Sequence, residues 1–331
     1  MRAEYYADEV TRYNLYARDY GDNKLYRIGA GPRGANYKWT EVMMRDASMF
    51  LDAIALHYYT RVGDKVIIEY LPDGNERYLR DNSKSRKSAT DFDEDQWFGV
   101  MKAAAFTDEL VSKHIAIMDQ YDPEKKVALI VDEWGTWFDN EPGTNPGFLY
   151  QQNTLRDAVS AGISLNIFNN HADRIHMTNI AQTINVLQAM VLTEGEKMIL
   201  TPTYHIYDMY KVHQDAKLLD FAVLSDDYEC GTENLKQINA SVSKDSLGNI
   251  NATLVNLDPN QMAEVTCHIA DFGMISKVSG TVLTSGAMNT MNTFEHPDQI
   301  QPEEFGDFVI EGNTIHIKMP SKSVVLLTVK R

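Results

Sequence analysis

Val127-Ala-Leu-Ile-Val-Asp132-Glu133-Trp134-Gly135-Thr136-Trp137 is the stretch that decides the fold. A short apolar run, entered from Lys126 and left through two acids, has the length and continuity of a parallel strand buried on both faces. It delivers a carboxylate to the strand's carboxyl end, where α/β architectures bind ligands and (β/α)8 barrels keep their active sites. Trp134 and Trp137 stand beside Glu133. A ring face can hold the C–H face of a sugar while a carboxylate works at the anomeric carbon, so acid plus tryptophan points to a carbohydrate site. A solvated glutamate capping the next loop fits these residues equally well.

Upstream, Tyr6, Val10, Tyr13, Ala17 and Tyr20 recur at helical spacing and predict a helix ending at Gly21. Residues 24–30 read as a strand closed by Gly31-Pro32, 40–51 as a helix with Val42, Met43, Ala47 and Phe50 inward, and 53–59 as a strand. Residues 61–95 break this rhythm and read as an insertion on the carboxyl face. It comprises a hairpin of 66–71 and 76–80 around Pro72-Asp73-Gly74-Asn75, then a polar loop over 81–88. Helices over 96–106 and 108–120 lead into the opening strand. Beyond it come a Gly/Pro-rich loop at 142–147, a helix at 148–161, a strand at 163–169, and a helix at 177–192 carrying Ile180, Ile184, Leu187 and Val191 at helical spacing. Four βα units, with strands starting at Lys24, Ala53, Val127 and Ile163, make an α/β half of an eight-unit barrel over residues 1–200. Such a half leaves two open sheet edges.

A connecting helix occupies 201–217, and the pattern changes at about Leu218. From there to Arg331, short alternating segments separated by turn residues such as Glu311-Gly312-Asn313 predict an antiparallel, jelly-roll-like β-sandwich domain. A chain of 331 residues has room for both parts, and its net charge of −16 argues against nucleic-acid and membrane-surface partners while suiting a neutral polymer. Cys230 and Cys267 read as two thiols rather than a bridge. The N-terminus enters a helix at once and does not read as a signal peptide. Asn239 and Asn251 match the glycosylation sequon, but nothing else in the sequence indicates secretion.

The predicted strand ends bring Gly31, then His57, Tyr58 and Tyr59, then Glu133 and Trp137, then Asn169, Asn170 and His171 to one face. The Tyr59 hydroxyl can bond the carboxylate and hold it ionised, or Tyr59 can be a rim aromatic. His57 reads as a polar positioning group. His171, Asp173 and His176 lack the spacing of compact zinc motifs, so no metal is expected. With no phosphate loop and no Gly-x-Ser-x-Gly elbow, no cofactor is expected either.

Asp132-Glu133-Trp134-Gly135-Thr136-Trp137 resembles the α-L-arabinofuranosidases of glycoside hydrolase family 51. So do Ser48-Met-Phe-Leu-Asp-Ala-Ile-Ala-Leu-His57-Tyr-Tyr-Thr60, Pro146-Gly-Phe-Leu-Tyr-Gln-Gln-Asn-Thr-Leu-Arg-Asp157, Asn166-Ile-Phe-Asn-Asn-His-Ala-Asp-Arg174, Ile180-Ala-Gln182-Thr-Ile-Asn-Val-Leu-Gln-Ala-Met190 and Thr201-Pro-Thr-Tyr-His205, in the same order along nearly the whole chain. The resemblance implies strands 5–8 of a (β/α)8 TIM barrel followed by a β-sandwich. It also implies retaining hydrolysis of terminal α-L-arabinofuranosyl groups from arabinan- and arabinoxylan-type saccharides. Glu133 matches the nucleophile and Tyr59 the tyrosine that contacts it. Trp137 matches the aromatic that shapes the sugar pocket and Gln182 a sugar-binding glutamine, with His57 beside them as a further substrate-site residue.

One departure is chemical. A retaining glycosidase needs an acid/base about 5 Å from its nucleophile. In the family it lies at the end of strand 4, in an Asn-Glu pair just before the stretch resembling Arg2-Ala-Glu-Tyr-Tyr-Ala-Asp8, and no such pair stands there in this chain. The expectation is a C-terminal part of the enzyme that lacks its acid/base and is inactive alone. An endo-β-glucanase-like relative, a non-catalytic carbohydrate-binding half barrel and one half of a split enzyme are the alternatives. Compartment stays open with a lean to the cytoplasm, and a homo-oligomer is compatible with the sequence.

Overall fold

The first part of the chain in the computed structural model runs α1 (Ala3–Asn14), β1 (Ile28–Gly29), α2 (Tyr37–Asp46), β2 (Ala53–Thr60), β3 (Val66–Tyr70), β4 (Glu76–Arg80), α3 (Glu94–Tyr121), β5 (Ala128–Thr136), α4 (Leu155–Asn170) and β6 (Ile175–Ile180). Residues 1–62, 66–70, 76–80, 87–270 and 272–331 are described, 66–70 and 76–80 by backbone alone. β3 and β4 pair antiparallel, while the turn expected at 72–75 and most of the polar loop expected at 81–88 lie outside the described residues. β1, β2, β5 and β6 form a four-stranded parallel sheet in that order. Its apolar runs follow from cover on both sides of the central strands. Ile54 and Leu56 of β2 and Leu129 and Val131 of β5 join Val42, Met43, Trp97 and Val100 of the helices in one core, while Ala53, Ala128 and Ile130 form a small cluster on the other face.

The hairpin of β7 (Val191–Glu194) and β8 (Lys197–Leu200) and the helix α5 (Pro202–Tyr210) lead to the second part. It holds β9 (Lys217–Leu218), β10 (Asp227–Cys230), β11 (Glu233–Lys236), β12 (Ile238–Lys244), β13 (Ile250–Asn256), β14 (Ala263–His268), β15 (Lys277–Leu283), β16 (Glu303–Phe305), β17 (Phe308–Glu311), β18 (Thr314–Met319) and β19 (Ser323–Lys330). A six-stranded antiparallel sheet, in the order β16-β15-β19-β13-β12-β9, faces a three-stranded sheet, β14-β18-β17. Alternation sets the inner face: Ile315, Ile317 and Met319 of β18 are buried with Leu254, Val325 and Leu327. β13 is buried along its whole length because α4 covers its outer side, with the Thr253 hydroxyl donating to Asn166 Oδ1 at 2.6 Å. Gly162 marks the closest approach, since a Cβ there would stand 3.1 Å from Val255 and 3.2 Å from Val324.

Several elements differ from those the sequence predicts. α1 ends at Asn14, not Gly21, and Tyr13 and Tyr20 are 71% and 81% exposed, because the helix packs on α2 only through its first turns, where Tyr6 stacks on Trp39. A short helix needs such packing to persist. The strand expected at 24–30 pairs only over Ile28–Gly29. The helices expected at 96–106 and 108–120 are one, α3, since neither Gly nor Pro separates them and Thr107 is buried within the helix. The strand expected at 163–169 is the second half of α4, and the helix expected at 177–192 is β6, a loop and β7. Left-handed φ angles of 58° at Asn185 and 53° at Leu187 rule out a helix there. The fourth parallel strand is therefore β6, and Asn169, Asn170 and His171 lie before its amino end, away from the site. Cys230 and Cys267 are free thiols. Among the described residues, no helix is long and apolar enough to cross a membrane.

Where the chain leaves β1, a Cβ on Gly31 would fall 1.3 Å from the Ala55 carbonyl oxygen of β2, whereas one on Gly286 would meet nothing within 4 Å. Gly31→Ala is expected to cost about 3 kcal/mol or more, and Gly286→Ala to stay within about 0.5 kcal/mol of the parent. Urea unfolding of both variants measures the difference.

Candidate functional site

β5 carries Asp132 and Glu133 out of the sheet through an irregularity. Ala55 pairs with Ile130 and His57 with Glu133, so Leu56 alone faces both Val131 and Asp132: a β-bulge. Consecutive side chains of a regular strand point to opposite faces. Here both acids reach one imidazole, with His57 Nδ1 3.1 Å from Glu133 Oε2 and His57 Nε2 3.2 Å from Asp132 Oδ1. Two residues along β2, the Tyr59 hydroxyl donates to Glu133 Oε1. Burial, then the bonded Glu133 carboxylate, push the Tyr59 phenol far above its ordinary value, so it stays a donor. Both Glu133 oxygens are thus engaged while the side chain remains 39% exposed, open to a ligand.

Trp137 packs edge-on against Tyr59 at 4.9 Å between centroids, and the Arg61 guanidinium lies 4.2 Å from the Trp137 ring centre. β6 ends at Ile180, and Ala181 continues the ladder by donating to Trp134 O at 2.8 Å. Gln182 follows, exposed, in a loop at the same end of the sheet as Glu133 and not in the helix its surroundings suggest. The structure therefore brings His57, Tyr59, Glu133, Trp137 and Gln182 to one end of the sheet. Tyr58 points the other way, donating to Ala103 O of α3 at 2.9 Å. His171 contacts Asp108 at 2.8 Å and Asp173 pairs with Lys125. Among the described residues, no three His, Cys, Asp or Glu side chains gather as metal ligands.

The strand end rests on a buried polar layer. Thr136 N donates to Gln188 Oε1 at 2.7 Å and the Thr136 hydroxyl to Asp157 Oδ1. Asp157 Oδ2 accepts from Thr154 N at 2.8 Å, closing the capping box whose N-cap is Thr154, and Gln188 Nε2 donates to Asp157 O at 2.7 Å. Burial raises the Asp157 carboxyl above its ordinary value, partly opposed by Arg156 and these hydrogen bonds. Sequence reasoning passed over Asp132, Arg33, Arg61, Asp157 and Gln188 as site or support residues. Arg61 was within reach of it, standing two residues beyond Tyr59 and so on the same side of the strand. Arg33, whose backbone bridges to His57 beyond β1, carried no pattern of its own.

Residues 132–323 match the model of the α-L-arabinofuranosidase C-terminal domain. The chain is similar to an intracellular exo-α-L-arabinofuranosidase of Bacteroides ovatus, 40% identical over 328 residues that cover 99% of this chain and 60% of that protein. It is similar to the crystal structure of the GH51 arabinofuranosidase from Xanthomonas axonopodis pv. citri, with a TM-score of 0.91 and 42% identity over all of this chain and 63% of that one. An α-L-arabinofuranosidase from Thermotoga maritima, solved as an arabinose complex, shares the fold at a TM-score of 0.77 and 18% identity, again over 63% of its chain. The chain spans about 60% of the length of the Bacteroides relative.

Tyr59→Phe removes the donor to Glu133 Oε1, and a hydrogen bond to a charged group contributes about 1.5–3 kcal/mol. Because the folded phenol ionises later than an unfolded one, that contribution is complete below pH of about 10 and declines as pH rises further. Urea unfolding should show the parent more stable than Tyr59→Phe at pH 8, with the gap narrowing above pH of about 10.

Proposed function

The chain belongs to the α-L-arabinofuranosidase family, glycoside hydrolase family 51, and from that membership we propose that it forms the nucleophile-bearing part of a retaining enzyme. The enzyme removes terminal α-L-arabinofuranosyl groups from arabinan- and arabinoxylan-type saccharides. In this reading residues 1–200 are strands 5–8 of a (β/α)8 barrel with their helices and the insertion at 61–95, 201–217 a connecting helix, and 218–331 the sandwich domain. The observation that carries it is Glu133 at a parallel strand end, each oxygen facing a polar group and Trp137 alongside.

Glu133 attacks the anomeric carbon, forming an ester as the glycosidic C–O bond breaks. A second carboxyl group protonates the departing oxygen and afterwards deprotonates the water that cleaves the ester. We assign that acid/base to a strand pairing with the outer edge of β1 and not to these 331 residues, in which Asp132 is taken up by His57. Tyr59 and His57 hold the carboxylate, Trp137 walls the sugar and Gln182 hydrogen-bonds it. The word intracellular in the name of the Bacteroides relative supports work in the cytoplasm.

Loss of general acid–base catalysis costs about 10²–10⁴ in rate, so the 331-residue chain should leave arabino-oligosaccharides uncleaved. An activated 2-deoxy-2-fluoro-arabinofuranoside, whose dinitrophenolate departs without a proton, should still esterify Glu133. Peptide mass spectrometry should find the adduct there and none in Glu133→Gln. A folded chain labelled elsewhere, or not at all, defeats the assignment of the nucleophile. Turnover of arabino-oligosaccharides that Glu133→Gln abolishes defeats the assignment of the acid/base.

A further inference from the structure

We propose that Asp132 is a positioning residue of this site: seated by the β5 bulge against one ring nitrogen of His57, it fixes the imidazole with its other nitrogen towards Glu133. The inference rests on Glu133 being the nucleophile and assigns a role to the acid next to it.

A side chain one residue before Glu133 belongs, by strand alternation, on the opposite face of the sheet. The extra residue that β5 inserts opposite Leu56 cancels that alternation and turns both acids to His57. Asp132 Oδ1 is removed from solvent and receives no hydrogen bond, and the His57 ring faces it at ion-pair distance, Nε2 3.2 Å away, a pair that forms when the ring is protonated. A solvated acid at a strand end would instead turn its oxygens to water.

Carboxylates only accept hydrogen bonds, whereas each imidazole nitrogen that carries a proton donates one. A ring rotation about Cβ–Cγ that exchanges Nδ1 with Cδ2 would present carbon to Glu133 Oε2, and χ2 of histidine is broad enough to allow it. With Asp132 Oδ1 paired to Nε2 and Glu133 Oε2 to Nδ1 of the protonated ring, that rotation forfeits both ion-pair contacts together. The ring keeps one orientation, and Glu133 is gripped at Oε2 by His57 and at Oε1 by Tyr59, which sets the plane in which its attacking oxygen lies. The bulge thus converts a sequence neighbour of the nucleophile into the back support of its support.

The role acts through His57, so a double-mutant cycle isolates it. The readout is the rate at which the 331-residue chain is labelled at Glu133 by the activated fluoro-arabinofuranoside, with near-ultraviolet circular dichroism reporting the fold. Asp132→Asn, or Asp132→Ser should the asparagine not fold, is expected to slow labelling about tenfold or more, as small misplacements of reacting groups do. His57→Gln should slow it comparably, and Asp132→Asn should add nothing in the His57→Gln background. In the same chain the ring ¹⁵N resonances of His57 should move in Asp132→Asn. An unchanged labelling rate in a folded Asp132 variant, or losses that multiply in the double variant, overturns the proposal. If the parent is never labelled at Glu133, the nucleophile assignment has failed instead. The ring resonances then decide the role of Asp132, and their constancy in Asp132→Asn overturns it.

Discussion

α4 has no solvent face. Every residue from Leu155 to Phe168 is buried, because one side of the helix packs on α3 and the parallel sheet while the other packs on β12, β13 and β19 of the sandwich. Burial of that kind is stable only where polar groups find partners. Asn166 meets Asn239 and Thr253, and Asp157 meets Thr136 and Thr154. Arg156 lies between the rings of Phe92 and Phe138 and donates to the carbonyls of Ser88 and Ala89. Burial lowers this arginine to about 10, and the neighbouring Asp157 opposes the fall. The helix that joins the two parts of the chain therefore also props the strand end behind Glu133, and sandwich and site share one support.

The same burial explains what the sequence hid. β2 and β5 were legible because cover on both faces leaves an unbroken apolar run, and the sandwich because its strands alternate between turn residues. α4 was half lost: a helix buried all round has no 3.6-residue stripe, and Ile163-Ser-Leu-Asn-Ile-Phe168 imitates the alternation of a strand. β6 failed in the opposite direction, since an edge strand with mostly exposed polar side chains offers no apolar run. The apolar residues at 180, 184, 187 and 191 keep a helical interval by coincidence across a strand, a loop and another strand. Tyr59 and Glu133 stood out as polar groups at the ends of legible strands. Asp132 did not, because a bulge is a property of two strands in register and leaves no mark in either one.

The sheet's two faces are unequally covered, and this bears on the chemistry. One face carries the main core; the other holds two smaller clusters, Ala53 with Ala128 and Ile130, and Tyr59 with Ala181 and Leu187. β1 contributes two paired residues at one edge of the sheet. Parallel sheets occur almost only with both faces covered, and a free edge invites further pairing. Closure into a barrel would meet both demands, because strands added at the outer edges satisfy the backbone and layers of inward side chains enlarge the smaller core on that face. The proposed reaction makes a matching demand: a second carboxyl group about 5 Å from Glu133, on the far side of a bound sugar bond. In the proposed reading that group comes from another strand end, and in a closed barrel the strands beyond β1 would present their carboxyl ends to the same mouth. In that reading the pairing that would quiet the edge of β1 is also the pairing that would complete the chemistry, and the stability of this sheet would depend on the same contacts as the competence of its site.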